Sequence, residues 1–240
     1  RTIPTGNGSI VFSVTYDTAE AGVSLRIDRT SGDVLNPATS NVFTVDPSSP
    51  VRLRLDVIGR VTAASPFSVT VVAVDLAGND GNVSSDTTVL IALNSGNGRL
   101  RGTSTGVITA GSHSTTVSGL IYDYAETISL RAASIDGDVL STGISDPFSV
   151  SAGPAAHLRF TQQPVNTVVG ASLTVMVEIT DAIGNRRSFP GDISLSLLSP
   201  SGCPALLDGT IIASGFLGLA TFDIRVLQPC DGCRLSAAAT

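Results

Sequence analysis

Lysine and tryptophan are both absent from this chain of 240 residues, and methionine occurs only once. All 14 cationic side chains are therefore Arg, and only Glu20, Glu126 and Glu178 among the 20 acidic side chains are Glu. Because Lys and Glu populate the exposed faces of helices, their scarcity disfavours a helical fold. Thr, Ser, Val and Gly take their place, a composition typical of strands joined by tight turns.

Positively charged residues are fewer than negatively charged ones, which gives a formal net charge of -6. This balance makes nucleic acid or an anionic membrane an unexpected partner. Hydrophobic residues make up 42% of the chain and charged residues 14%, which is too apolar for a disordered protein. No apolar run approaches the roughly 18 residues that a membrane helix needs, so we expect no membrane insertion.

A unit of about 105 residues recurs along the chain. The sequence Gly-Asp-Val-Leu at 32–35 returns at 137–140, an offset of 105. The sequence Asp-x-x-Gly-Asn at 75–79 returns at 181–185, one residue further along. Repeats of this kind predict an array of similar units, each large enough to bury a core of its own.

The repeat divides the chain into three parts: the C-terminal half of one unit (1–48), a complete unit (49–152) and a unit that lacks its last strand (153–240). Short segments that contain Pro, 46–50 and 151–154, link these parts. Such linkers predict units that are strung stiffly rather than tethered loosely. Because Arg1 lies inside a repeat, we expect the chain to be an excerpt or a processed product of a longer protein.

The complete unit is predicted to contain about seven short strands separated by turns. Leu53 and Leu55 alternate with arginines, which is the period of two of a half-buried strand. Val72 and Val74 add a second apolar face to the stretch 67–74, so that strand should be central. The predicted fold class is all-β: tandem immunoglobulin-like β-sandwiches of about 105 residues each.

Two stretches of the third part resemble a known family: HLRFTQQPVNTVVGASLTVMVEITDAIGNRR at 157–187 and GFLGLATFDIRVLQPCDGCRLSAAAT at 215–240. They look like the tandem immunoglobulin-like repeats of large bacterial secreted and surface proteins. The resemblance implies an extracellular or cell-surface location and a role as stalk, spacer, adhesin shaft or fibre component. We therefore expect a non-enzymatic structural or adhesive array; the alternative is a spacer module of a larger secreted enzyme.

The three cysteines, Cys203, Cys230 and Cys233, all lie in the third part. A disulfide from Cys203 to either Cys230 or Cys233 would tie two turns together and contribute about 3–4 kcal/mol in the loop-entropy model. It would also indicate an oxidising compartment. A redox site at 230–233 lacks the strand-to-helix setting of such motifs. A zinc site is weaker still, because only three thiols are present and both His lie in other segments.

A weak calcium candidate consists of four residues with oxygen-bearing side chains in the first turn: Asp75, Asn79, Asp80 and Asn82. A hard cation needs such oxygens close together. An ordinary turn, in which Asp and Asn bond their own backbone, accounts for the same residues. The second copy has Arg186 and Arg187 at the positions that follow its Asn, and these would repel a metal. We therefore expect no general metal or cofactor.

Residues that carry catalytic chemistry are few, and no catalytic residue is predicted. No nucleophile motif surrounds His113. Asp136 and Asp138 are two residues apart, but the first copy has Ser31 and Asp33, so only one acid recurs. With no Trp and only three Tyr, the chain also lacks the aromatic platforms on which sugar-binding sites often rely.

The incomplete units suggest partners of the same kind as the chain itself. The stretches 8–16, 23–27 and 42–45 are predicted as three strands that leave a sheet face bare. A strand around 42–45 of one copy would complete the 153–240 sandwich of the next, which gives a head-to-tail filament joined by strand exchange. The alternative is one longer chain of neighbouring repeats. Expected partners are therefore neighbouring repeats or other copies of the chain.

Overall fold

The computed structural model describes residues 2–200 and 206–239, and its regular structure is almost entirely β. Within these residues the helical structure is a single 3-10 turn, Phe216–Gly218. None of the described helical structure is long and apolar enough to cross a membrane. The predicted all-β class of immunoglobulin-like sandwiches is confirmed.

The first part of the chain forms two small antiparallel sheets from four short strands: β1 Glu20–Val23, β2 Arg26–Ile27, β3 Ala38–Thr39 and β4 Phe43–Val45. Strand β1 pairs with β4, and β2 pairs with β3. The stretch 8–16, predicted as a strand, forms none. Its counterpart in the next unit, 114–122, is held by a strand on each side, and no such neighbour is described beside 8–16.

The middle part is a sandwich of ten strands: β5 Arg52–Leu55, β6 Val61–Thr62, β7 Pro66–Val74, β8 Thr87–Ser95, β9 Leu100–Arg101, β10 Thr105–Ile108, β11 Ser114–Tyr122, β12 Thr127–Asp136, β13 Gly143–Ile144 and β14 Phe148–Ser151. One sheet has the order β5-β7-β11-β9. The other has the order β10-β8-β12-β14-β6, with β13 also paired to β12. The β14–β6 pair is parallel, and the other pairs of named strands in this sandwich are antiparallel.

The core of this sandwich follows the alternation of its strands. Val69 and Val71 of β7 point into the core and are buried. Val72 and Val74 are also buried on the opposite face, and β7 lies between β5 and β11, which confirms that it is central. Val57 continues the alternation of Leu53 and Leu55 but is 96% exposed, because β5 ends two residues earlier.

The third part forms a second sandwich with its own core: β15 His157–Gln162, β16 Leu173–Thr180, β17 Asp192–Leu198, β18 Leu207–Gly209, β19 Ile212–Ser214, β20 Leu219–Val226 and β21 Arg234–Ala239. Its sheets have the orders β15-β16-β20-β18 and β19-β17-β21. Among the described residues β21 pairs with β17 alone, whereas its counterpart β12 also pairs with β13 and β14. The unit boundaries proposed from the repeat stay predictions.

Candidate functional site at the junctions between units

Each Asp-x-x-Gly-Asn sequence folds into a tight turn, which we call the receiver turn (75–79 and 181–185). In the first, Asp75 Oδ1 accepts hydrogen bonds from the backbone N–H groups of Gly78 at 2.8 Å and Asn79 at 2.9 Å. In the second, Asp181 Oδ1 accepts from the N–H groups two and four residues later, at 3.0 and 2.8 Å. Both turns place Gly at positive φ, 100° at Gly78 and 95° at Gly184, where other residues are strained.

The second carboxylate oxygen of each Asp holds the linker that enters the unit. Asp75 Oδ2 accepts from the backbone N–H of Ser48 at 3.2 Å and from its hydroxyl at 3.3 Å. Asp181 Oδ2 accepts from the N–H of Gly153 at 2.9 Å. The receiver turn is therefore anchored to the linker as well as to its own backbone.

The Asn side chain of each receiver turn crosses to the preceding unit, a contact we call the latch. Asn79 Nδ2 donates to the carbonyl of Asp17 at 2.8 Å, and its Oδ1 accepts from the N–H of Ala19 at 2.9 Å. Asn185 makes the same two bonds: its Nδ2 donates to the carbonyl of Asp123 at 3.2 Å, and its Oδ1 accepts from the N–H of Ala125 at 3.0 Å. Both pairs of units are thus joined by an Asn side-chain nitrogen and oxygen that bond to a backbone carbonyl and a backbone N–H.

The backbone groups that receive the latch lie in a second repeated motif, Tyr-Asp-x-Ala-Glu at 16–20 and 122–126, which we call the exit loop. The buried Tyr122 hydroxyl donates to Glu126 Oε1 at 2.6 Å and accepts from the Gly98 N–H at 2.7 Å. Glu126 also accepts from the N–H and the side chain of Asn97, at 2.6 and 2.8 Å. The Tyr–Glu pair therefore closes the loop and fixes its backbone.

In the first copy of the exit loop, Tyr16 donates to Glu20 in the same way. Sequence reasoning missed this motif, although two of the three Tyr and two of the three Glu recur in it at an offset of 106. A search for repeated rare residues would have found it.

The acids at the junctions are held in their ionised state. The hydrogen bond from the Asn79 side chain, with those from nearby N–H groups, holds the pKa of the Asp75 carboxyl well below its usual range despite burial. Burial raises the pKa of Asp181, but hydrogen bonds from Asn185 and from the backbone N–H of Gly153 outweigh it and the net pKa is lowered. The carboxylates therefore stay charged at neutral pH.

The Tyr–Glu pair of the second exit loop likewise holds its carboxyl group in the ionised state and its phenol in the neutral state. The hydroxyl of Tyr122 and the donors of Asn97 lower the pKa of Glu126 to about 2. Burial, together with the Glu126 carboxylate, raises the pKa of Tyr122 to about 12. The hydroxyl is therefore a donor to a carboxylate over the whole neutral range.

Three of the four calcium candidates make other contacts. Both oxygens of Asp75 face N–H and hydroxyl donors, and the Asn79 side chain forms the latch. Asp80 pairs with Arg54 at 3.0 Å, and Asn82 is exposed. In the described part of the chain no three His, Cys, Asp or Glu side chains are grouped so that they could hold a metal. The calcium hypothesis gains no support from this geometry.

The two arginines that follow the second receiver turn have structural partners. Arg186 Nε contacts Glu178 Oε1 at 2.8 Å, and Arg159 contacts the other oxygen of Glu178 at 2.8 Å. The hydrogen bond from Arg186 lowers the pKa of Glu178, helped by Arg159 and opposed by burial. Arg187 donates to the linker carbonyl of Ala152 at 2.6 Å, so it adds a bond to this junction.

One disulfide lies within the described part of the chain. The structure joins Cys230 to Cys233, whose Cα atoms are 5.8 Å apart, within the usual range for a disulfide. The loop turns back on itself at Gly232, which has a φ of 71°. Cys203 lies outside the described residues, so its own pairing stays a prediction. Mass spectrometry of non-reduced peptides distinguishes a bridge to Cys203 from the bridge between Cys230 and Cys233.

The remaining polar candidates lie apart from the junctions. The Asp138 carboxylate accepts from the backbone and hydroxyl groups of Ser84 and Ser85, which lowers its pKa. Asp136 lies opposite Thr88 near the end of β12, and is exposed. The carbonyl of His113 accepts from a strand N–H. These contacts secure strands and turns of the sandwich.

Comparisons with known proteins give only distant likenesses. No protein-family model matches the chain, and no curated protein matches it. An Escherichia coli adhesin, FdeC, is similar over 85% of this chain and 64% of its own, at 18% identity and a TM-score of 0.38. Domains 4–9 of the surface layer protein SbsC are similar over 91% and 34%, at 14% identity and a TM-score of 0.26.

A β-glycosidase from Bacteroides vulgatus is also similar, over 80% of this chain and 24% of its own, at 14% identity and a TM-score of 0.34. The chain spans 64% or less of each of these three proteins. At such identities and TM-scores they do not assign a function, which has to be argued from the junctions.

Proposed function

We propose that this chain is part of a non-enzymatic, secreted or cell-surface array whose units are locked end to end by the Asn latch, with a structural or adhesive role. The observation that carries the proposal is the latch itself: Asn79 and Asn185 make the same pair of bonds to the preceding unit. A bond set that recurs at successive junctions suits a stiff stalk. The disulfide between Cys230 and Cys233 supports an oxidising, extracytoplasmic compartment.

The latch is strong enough to favour one junction geometry. Each neutral hydrogen bond contributes about 1 kcal/mol, so the two bonds of one Asn contribute about 2 kcal/mol. That free energy makes the closed junction about 30 times as populated as an open one. The bonds from Asp to the linker act in the same direction, because they fix the path of the chain between the units.

Rigidity in this array needs no metal. The carboxylates of Asp75 and Asp181 are surrounded by N–H donors, which take the place that a cation would have in a calcium-bridged array. We therefore expect the shape of the chain to be the same with and without a chelator.

Head-to-tail contact with other copies is a further part of the proposal. Val14 and Leu25 of the first part are 69% and 45% exposed. Their counterparts in the middle unit, Leu120 and Leu130, are 0% exposed because the opposite strands cover them. We expect a polypeptide like residues 51–108, from the same or a second copy, to cover this face. Light scattering over a concentration series detects assembly between copies.

Small-angle X-ray scattering of the full chain tests the locked array. We expect one narrow distribution of dimensions for the wild type, unchanged by EDTA. Asn185→Ala should broaden the distribution, since it removes both latch bonds together with one bond to Asp181. Asn82→Ala is the matched control, because this Asn is exposed and has no described partner. A wild type as flexible as Asn185→Ala, or a shape that changes with EDTA, would contradict the proposal.

A further inference from the structure

A cleft with a volume of about 440 Å³ opens at the second junction and is lined by both units. The middle unit contributes Arg99, Arg101 and Tyr124, and the third unit contributes Ile183 from its receiver turn. Binding sites are often found where two domains meet, because each supplies part of the wall. At the first junction Thr18 takes the place of Tyr124, and Ala77 takes the place of Ile183.

The charge of the cleft is unbalanced. Arg101 is paired with Asp123 at 2.7 Å, and the other oxygen of Asp123 accepts from the backbone N–H of Arg99 at 2.6 Å. The Arg99 guanidinium is exposed and has no hydrogen bond or ion pair with any described residue. The lining of the cleft thus contains two Arg and one carboxylate, which leaves the Arg99 guanidinium free to bind an incoming anion.

Apolar surface lies beside these guanidinium groups. Tyr124 is 51% exposed and Ile183 is 49% exposed, and both line the same cleft. A ligand that contacts both this apolar surface and the Arg99 guanidinium carries an apolar group next to its negative charge. A separate cleft at the first junction is formed by other positions of the units and is lined by Glu20, Asp46 and Asp80, which would repel an anion.

We propose that the cleft at the second junction binds a carboxylate flanked by apolar groups, as in an acidic residue between aliphatic residues of a peptide. Arg99 holds the carboxylate, and Tyr124 with Ile183 contacts the aliphatic side chains. A peptide strand presents an acid and aliphatic groups within a few ångströms of each other, which matches this lining. An acidic sugar offers the charge but surrounds it with hydroxyls.

Binding at this cleft is coupled to the latch. Ile183 belongs to the same turn as Asn185, so the wall that it forms is in place only when the latch is closed. A ligand that binds the closed junction better therefore favours it, and the closed junction in turn favours the ligand. The site belongs to the assembled array rather than to one unit.

The test is a two-dimensional NMR titration of the full chain with the peptide N-acetyl-Leu-Glu-Leu-amide. We expect a Kd on the order of 1 mM, as befits one ion pair with limited apolar contact. Arg99→Ala should weaken binding at least about tenfold, and Arg60→Ala, an exposed Arg outside the cleft, should not. Asn185→Ala should weaken it through the coupling, whereas Asn79→Ala at the other junction should leave it unchanged.

Two further probes decide the chemistry. The peptide with Gln in place of Glu should bind much more weakly, and sodium glucuronate should not compete. Equal binding of the Gln peptide, or binding that survives Arg99→Ala, would overturn the carboxylate assignment. Binding of glucuronate without the peptide would overturn the peptide class. No chemical-shift change at the cleft with any probe would overturn the site. Dispersed spectra of each variant show that folding is retained, so a loss of binding cannot be attributed to unfolding.

Discussion

The two junctions are built on the same latch but have different surroundings. At the first, the latch Asn is followed by Asp80, which pairs with Arg54. At the second, it is followed by Arg186, which pairs with Glu178, and by Arg187, which adds a bond to the linker. The latch survives these changes because its partners in the preceding unit are backbone groups. A contact to backbone can be repeated while the surrounding side chains diverge.

The third unit extends this comparison. Its β20 ends at Val226, where the middle unit has Tyr122, and the loop that follows is closed by the bridge between Cys230 and Cys233. A covalent bond therefore stands where the other units use a Tyr–Glu pair. The contact that closes this loop therefore varies from unit to unit.

The largest effect is expected for Asp181→Ala. The carboxylate is buried and accepts four hydrogen bonds from Gly153, Ile183 and Asn185. Its removal leaves these donors without a partner, so we expect the third unit to lose about 3 kcal/mol. Hydrogen exchange of amides in β16 measures this loss. Asp208→Ala, exposed in the same unit, should have no effect, and equal exchange in the two variants would contradict the role of Asp181.

A smaller loss is expected for Tyr122→Phe. The change leaves the Gly98 N–H and one oxygen of Glu126 without the phenol, so the middle unit should lose about 1–1.5 kcal/mol. Tyr124→Phe is the matched control, since Tyr124 is 51% exposed and its hydroxyl has no described partner. Chemical denaturation, with amide exchange in β11 as a second measurement, compares the stabilities of the two variants. If both variants behaved like the wild type, the exit loop would not depend on this hydroxyl.

Much of the sandwich could be predicted from the sequence, because period-two alternation reports local burial. The stretch 67–74 was placed in one central strand from its apolar pattern, and β7 covers it. The stretch 8–16 has a similar pattern and forms no strand. Alternation gives the side-chain faces, whereas a strand also needs a neighbour to pair with, and the pattern does not supply one.

The site was harder to predict, because its contacts join residues about 60 positions apart. Asn79 and Asn185 were recognised as repeated turn residues, and the oxygen of Asn79 was considered for calcium. That they reach Ala19 and Ala125 follows from how two units stack, which no local pattern reports. The pairing of Cys230 with Cys233 likewise depends on the turn between them.

Acid should loosen the second exit loop. The pKa of Glu126 falls from its ordinary value near 4.5 to about 2 on folding, so its stabilising effect is complete above pH 4.5 and is lost as the pH falls towards 2. Asp123 and Asp181 also have lowered pKa values and act in the same direction. Glu126→Gln should reduce the pH dependence of the Ala125 amide shift in this range; an unchanged profile would exclude Glu126 as a source.

The smallest effect is expected at Ala64, a residue in the left-handed region with a φ of 60°. Its N–H donates to the carbonyl of Tyr122, and in the third unit Gly170 makes the same bond to Val226 with a φ of 76°. Ala64→Gly should change stability by no more than about 0.5 kcal/mol, because relief of strain offsets the added chain entropy. Ala64→Val should cost about 1–2 kcal/mol. Thermal unfolding compares the stabilities of the two variants. If Ala64→Gly were less stable than Ala64→Val, the left-handed conformation at this position would be contradicted.

Amide hydrogen exchange at Ala19 and Ala125 in the full chain tests the latch most directly, since these N–H groups donate to Asn79 and Asn185. We expect both amides to be protected, with or without EDTA. Asn185→Ala should speed exchange at Ala125 by about 30-fold, the factor that corresponds to two lost bonds, and leave Ala19 unchanged. Rapid exchange at both amides in the wild type, or protection of Ala125 that survives the loss of Asn185, would contradict a latched array.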